Sequence, residues 1–238
     1  MPQPQRFLTA EWKNLAMLNY AVEPHLLEPF VPAGTELDFF DGKTYLSLIG
    51  FEFQRTRLRG VPVPFHQSFE EVNIRFYVRR EARRGAVFIR ELVPKRAVVW
   101  VARLAFNESY AYVPMSHRTE LSAAGEVVSA QYNWGSGTGL CSMEVETGGA
   151  SYLPGEGSVS QFITEHYWGY AAQRDGGCKE YQVAHPQWRV WNAKRASFAG
   201  DAARFYGARI AEVLAREPDC AFVAEGSAVT VFNGTRIR

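Results

Sequence analysis

Two adjacent cations, Lys95 and Arg96, stand between apolar runs in the stretch "FIRELVPKRAVVW". A neutral lysine amine attacks carbonyl carbon and forms an imine, whereas an ordinary lysine, with a pKa near ~10.4, is almost wholly protonated at neutral pH. Burial among apolar residues and a neighbouring positive charge both disfavour the ammonium form. A helix beginning at Pro94 would add partial positive charge at the same place. Arg96 keeps its proton under all ordinary conditions, so repulsion between the two is relieved only at Lys95. Two readings follow: a lysine tuned for imine chemistry, or a charged corner whose side chains reach water.

The second group with chemical content lies earlier, in "SFEEVNIRFYVRR". Strict alternation puts Val72, Ile74, Phe76 and Val78 on one face of a strand and Glu71, Asn73, Arg75 and Tyr77 on the other. An ordinary wet strand surface favours lysine, threonine and glutamate. A carboxylate, an amide, a guanidinium and a phenol in a row suit the lumen of a closed barrel as well as solvent.

Other chemistries find little support. The five histidines (25, 66, 117, 166 and 185) lack metal-ligand spacing, and the three cysteines (141, 178 and 220) lack any CxxC pattern. No GxSxG occurs, and "GSGTG" at 135–139 reads as a turn, so neither a cofactor nor a metal is expected. The formal net charge is +1, and the arginines at 79, 80, 83 and 84 surround a probable turn, read as a solvated hairpin tip. This excludes a nucleic-acid partner. The first residues lack the apolar core of a signal peptide and no run approaches a membrane span, so a reduced, soluble, cytoplasmic protein is expected.

The elements that must position these residues are mostly strands. "LTAEWKNLAMLNYAV" reads as a first strand, "EPHLLEPFVPAG" as a short helix packing Leu26, Leu27 and Phe30, and "ELDFFDGKTYLSLIGFEFQRT" as a hairpin about Asp41-Gly42. "GAVFIRELV" returns antiparallel to the alternating strand. A helix is expected from Pro94 to about Asn107, despite its valines. Later segments read as strands between glycine-rich turns, broken once at His185-Pro186. One amphipathic helix is expected from Asp201 to Arg216, buried through Phe205, Tyr206, Ile210, Val213 and Leu214. The whole chain, 1–238, reads as one mainly β (α+β) domain, an antiparallel closed or half-open barrel with a few peripheral helices.

Two resemblances add to this. "RELVPKR", preceded by "FEEVN", resembles the acetoacetate decarboxylases, in which an Arg-Glu segment leads to Pro-Lys-Lys. The resemblance implies Lys95 as the imine-forming lysine, Arg96 as its cationic neighbour and Glu71 as the active-site glutamate. Here arginine replaces the second lysine, the Arg-Glu to Pro-Lys spacing is shorter, and Phe69 stands where a tyrosine is expected. Over nearly its whole length the chain more closely resembles the YqjF-like family, a domain of unknown function assigned to the acetoacetate decarboxylase-like fold. "EEVNIRFYV", "GAVFIREL", "ITEHYWGY", "AHPQW" and "GSAVTV" carry that likeness.

If the resemblance extends to activity, Lys95 attacks the ketone of a small β-keto acid, Glu71 moves protons, and Arg75 or Arg96 orients the carboxylate. Asn73, Tyr77, Glu91 and Arg103 complete the expected ligand contacts. An aldol or dehydration reaction would use the same imine. The alternative is a barrel that binds a small molecule without reacting with it, and a third is a filled barrel in which Glu71 pairs with Arg75 or Arg103. Self-association into a homo-oligomer is compatible with each.

Overall fold

The computed structural model describes residues 5–237. β1 (Arg6–Val22) leads through a single turn, α1 (Pro24–Leu27), to the short β2 (Glu36–Leu37). β3 (Thr44–Leu58), the two-residue β4 (Val61–Pro62), β5 (Phe69–Arg80) and β6 (Arg83–Val93) follow. Helix α2 (Arg96–Phe106) comes before β7 (Tyr110–Tyr112), β8 (Met115–Leu121), β9 (Val127–Trp134) and β10 (Cys141–Thr147). α3 (Val159–Thr164) precedes β11 (Trp168–Ala172), β12 (Cys178–Ala184) and β13 (Val190–Ala199). Two short helices, α4 (Ala203–Tyr206) and α5 (Ala208–Leu214), then lead to β14 (Cys220–Phe232) and β15 (Thr235–Ile237). The fold is mainly β.

Neighbouring strands run in the order β12-β11-β6-β5-β3-β1-β14, antiparallel except where β11 meets β6. β14 also pairs back onto β12, through Val183 with Val231 and Ala184 with Thr230. β14 hands on to β13, and thence to β10, β9 and β8. Two apolar faces result. Val72, Ile74, Phe76 and Val78 pack with Leu46, Leu48 and Leu18 against Tyr132, Trp134 and Met143, and against Tyr206 and Ile210 of the helices. The opposite face gathers Leu15, Met17, Ile49, Phe51, Phe53 and Phe69 with Val93, Phe162 and Trp188. The period-two alternation of β5 therefore sends its valines to one core and Glu71, Asn73, Arg75 and Tyr77 to the other side, where all four are buried.

Several elements differ from the sequence reading. The turn at Asp41-Gly42 forms with both residues at positive φ, as a two-residue hairpin turn requires. Only Phe40 and Lys43 pair across it, however, because Glu36–Leu37 is drawn to β5 instead. Leu27 is buried but Phe30 is exposed. The expected helix over 201–216 is broken at Gly207, whose φ of 83° lies outside the helical region. Apolar periodicity is correct on both sides of the break, and Asp201 Oδ1 accepts from Ala203 N at 3.0 Å. The arginine-rich turn is not simply solvated. Arg80 and Arg83 both reach the buried Glu180, Arg84 reaches Asp38 at 2.7 Å and Arg79 reaches Glu36 at 2.9 Å. Those acids come from β12 and the β2 region, too distant in sequence to be seen by pattern.

Candidate functional site

The side of the sheet opposite the larger core holds a cavity of about 180 Å³. One buried water needs roughly 10–15 Å³ on that measure, so the space suits a molecule of about ten non-hydrogen atoms. Its wall is largely apolar, built by Trp12, Ile49, Phe51, Phe53, Phe69 and Phe88 from the strands. Helix α2 contributes Ala97, Val98, Val101, Ala102 and Phe106. Into this lining converge Glu71, Asn73 and Arg75 of β5, Glu91 of β6, Glu108 and Tyr110 after α2, and Tyr181 of β12.

Local structure explains each placement. Glu71, Asn73 and Arg75 share the inward side of β5 by alternation, and Asn73 pairs in register with Glu91 on β6. Asn107 closes α2 in the left-handed conformation at φ 61°, its N–H donating to the Arg103 carbonyl at 3.1 Å. Its side-chain amide donates to the Ala172 carbonyl, which fixes the corner from which buried Glu108 follows.

Three hydrogen bonds on the cavity wall end on carboxyl oxygens. Asn73 Nδ2 donates to Glu71 Oε1 at 2.9 Å and the Tyr110 hydroxyl to Glu71 Oε2 at 3.0 Å. The Tyr181 hydroxyl donates to Glu108 Oε1 at 2.8 Å. Glu91 Oε2 and Asn73 Oδ1 are buried without a hydrogen-bond partner. Removal from water raises the Glu71 carboxyl to about 7 and the Glu108 carboxyl to about 8. Burial, and then the charges of Glu108 and Glu71, push Glu91 well above the usual carboxylate range. Protonated acids dominate here at neutral pH.

Arg75 is not paired with any of them. Its Nη2 donates to the Ile163 carbonyl at 3.0 Å and its Nε faces the Tyr77 hydroxyl at 3.4 Å. Ser47 gives its one hydrogen to Asn19 Oδ1 at 2.6 Å, so Tyr77 must donate to Ser47 at 2.7 Å and accept from Arg75. That directed chain, Arg75 to Tyr77 to Ser47 to Asn19, ends on the Cys220 carbonyl. An ion pair was expected for Arg75; a carbonyl and a phenol serve its donors instead, next to acids that burial keeps neutral.

Of the residues singled out from sequence, the structure brings Glu71, Asn73, Arg75 and Glu91 together on the cavity wall. Tyr77 is buried behind it, its ring stacked on His166 at 4.4 Å. Arg103 lies outside on the exposed face of α2 and donates to the Tyr110 carbonyl at 2.8 Å, so neither it nor Arg75 pairs with Glu71. Arg96 is exposed, its guanidinium 4.7 Å from the Tyr112 ring. Lys95 is half-buried at the N-cap of α2 and is not among the wall residues. The helix begins at Arg96, two residues later than expected, so Lys95 keeps an extended backbone at φ −132°, ψ 106°. Sequence reasoning missed Glu108, Tyr110 and Tyr181. The run "NESY" just after an apolar helix was the available signal for the first two.

His166 is buried with neither ring nitrogen hydrogen-bonded, and Asp38 is 3.9 Å away. Burial holds its pKa down to about 4, so it packs as a neutral ring. All three cysteines are free. Among the described residues no helix is long and apolar enough to cross a membrane, and no three His, Cys, Asp or Glu side chains converge as metal ligands.

The mainly β fold is one already known from solved structures, the acetoacetate decarboxylase-like fold. The enduracididine biosynthesis enzyme MppR complexed with pyruvate superposes with a TM-score of 0.71 at 12% identity, covering 99% of this chain and 91% of that one. Acetoacetate decarboxylase from Legionella pneumophila does so with a TM-score of 0.70 at 10% identity, covering 100% and 92%. Within that class the chain belongs to the DUF2071 family, described as an uncharacterized conserved protein, which it matches over residues 9–228. The uncharacterized protein YqjF of Bacillus subtilis is 25% identical over 184 residues, 77% of this chain and 74% of that protein.

Proposed function

We propose that this protein binds a small, largely apolar organic molecule in the cavity, with the acid-lined wall contacting its polar group. One observation carries the reading: three carboxyl side chains, Glu71, Glu91 and Glu108, stand in the wall of a largely apolar cavity of about 180 Å³. A pocket of that size with a few convergent polar groups is the usual form of a small-molecule site. The pairing of β14 back onto β12 supports treating the sheet as a closed barrel with this cavity as its lumen. A ligand at 100 times its Kd should stabilise the fold by about 2.7 kcal/mol, visible as a raised melting temperature across a panel of small aromatic and carbonyl compounds. Ala102→Phe, which fills the wall from α2, should erase those shifts. A panel that never raises the melting temperature, or shifts that survive Ala102→Phe, would contradict the proposal.

A second reading keeps Lys95 reactive. Its extended backbone continues β6, so it follows inward Glu91 and Val93 at two-residue intervals, and no acid is ion-paired with it among the described residues. In that reading the Lys95 amine adds to a ketone and water leaves as the imine forms; a β-keto acid then loses carbon dioxide into the protonated imine. Borohydride reduction in the presence of acetylacetone should then add mass at Lys95, and Lys95→Ala should abolish the adduct. Labelling elsewhere, or none, refutes the imine and leaves the binding reading intact.

A further inference from the structure

We propose that the molecule held in this cavity is an organic cation, a protonated amine or amidine on an aromatic or branched aliphatic body, with its charged end at Glu91 and Asn73. The inference rests on the binding reading above and narrows it to one ligand class. The ionisable groups on the wall are mostly acids. Glu71, Glu91 and Glu108 face the space, against Arg75 from β5 and His66 from the loop after β4. Arg75 already spends its contacts on the Ile163 carbonyl and Tyr77, and His66 Nδ1 lies 2.7 Å from the Pro64 carbonyl.

The hydrogen bonds have the polarity that a cation needs. Every amide and phenol donor at the site, from Asn73, Tyr110 and Tyr181, is turned onto a carboxyl oxygen. Glu71 accepts on both of its oxygens, so the carboxylate formed when it ionises is already held by two donors. Asn73 gives an amide hydrogen to Glu71, and its carbonyl oxygen is an acceptor without a partner. An ammonium or amidinium offers several donors and a positive charge, which the three acids match once they ionise. Rings of Trp12, Phe51, Phe53 and Phe69 complete a wall of the kind that favours organic cations.

Binding such a cation requires carboxyl groups to ionise, so uptake should release protons and strengthen as pH rises. Burial at present keeps Glu71, Glu91 and Glu108 in their acid forms, while Tyr110 and Tyr181 stay neutral throughout. Three probes that share one body and differ in charge test this by calorimetry on the full chain: phenethylamine, 2-phenylethanol and 3-phenylpropionate. The amine should bind at least ~10-fold more tightly at pH 8.5 than at pH 6, up to tenfold per unit for each proton released. Its heat should change between buffers of different ionisation enthalpy, which reports the proton. Glu91→Gln should weaken amine binding ~10-fold or more without lowering the melting temperature. If the alcohol or the propionate binds as tightly as the amine, the cation assignment is overturned while the cavity reading stands. If none of the three binds, both fall.

Discussion

Between pH 6.5 and pH 9 this protein will lose several kcal/mol of folding stability, and Glu91→Gln will remove a large part of that loss. A carboxyl whose pKa is raised by folding holds a proton that the unfolded chain has released. Its contribution is complete below the unfolded value, near ~4.3, and disappears as pH rises through the folded one. Glu71 passes through about 7, Glu108 through about 8, and Glu91 stands higher. His117 acts in the same direction at higher pH. Hydrogen bonds to Glu52 and then Glu70 raise it to about 10, so its contribution is full below ~6.5 and fades towards 10. Below pH 6.5 the opposing histidines are His166, held down to about 4 by burial, and His185, also lowered by burial; both favour the fold as pH rises to the ordinary histidine range. Asp38, Glu52 and Glu70 are lowered, so their contributions are lost only on acidification. Above 6.5 the remaining effects share one sign.

Each proton retained by the native state is worth about 1.4 kcal/mol per pH unit, which puts the total on the order of 3–5 kcal/mol. Glu91→Gln keeps the shape and removes the ionisation, so the variant should be more stable than the parent at pH 9 by roughly 1–3 kcal/mol. Urea unfolding at a series of pH values measures both. A flat stability profile, or a variant that falls as steeply as the parent, would show that these carboxyls ionise freely.

The second large effect is expected at Gly226, where β14 pairs with Lys13 of β1. Its φ is 82°, and an added Cβ would lie 2.0 Å from the Trp12 carbonyl oxygen and 2.9 Å from Leu15 Cδ1. Across β1 the register with β3 shifts between Lys13 and Ala16, where Asn14 has φ 54°. Trp12 and Leu15, either side of that irregularity, both line the cavity. Gly226→Ala combines a disfavoured backbone with a main-chain clash that no rotamer relieves. Each costs about 1–3 kcal/mol, so a loss of roughly 3–5 kcal/mol, or failure to accumulate folded protein, is expected by chemical denaturation. Ala at 226 with unchanged stability would mean that β1 and β14 do not approach as described.

How legible this was depended on whether a feature was local. The alternation of "FEEVNIRFYV" fixed which side chains of β5 face together, because strand period is a property of the backbone. The unusual polarity of Glu71, Asn73, Arg75 and Tyr77 suited a lumen as well as solvent, and the face is buried. Lys95 was harder. Its direction depends on where β6 hands over to α2, and that boundary lies two residues later than the sequence suggests. Glu108 and Tyr181 meet in the cavity from segments 73 residues apart, which no local pattern reports. The split at Gly207 was hidden because apolar spacing stays helical on both sides of one left-handed residue.

The account stands on neutral carboxyl groups in a dry, ligand-sized space, and carbon-13 NMR of side-chain-labelled glutamate tests that directly. Titrated from pH 4 to pH 9, the carboxyl resonances of Glu71, Glu91 and Glu108, assigned by single Gln replacements, should remain those of the acid form at pH 6. Glu71 should move near 7 and Glu108 near 8, while Glu91 stays protonated well above the usual carboxylate range. If all three instead titrate between ~4 and ~5 with the exposed glutamates, water reaches them freely, and the cavity described here is not the site.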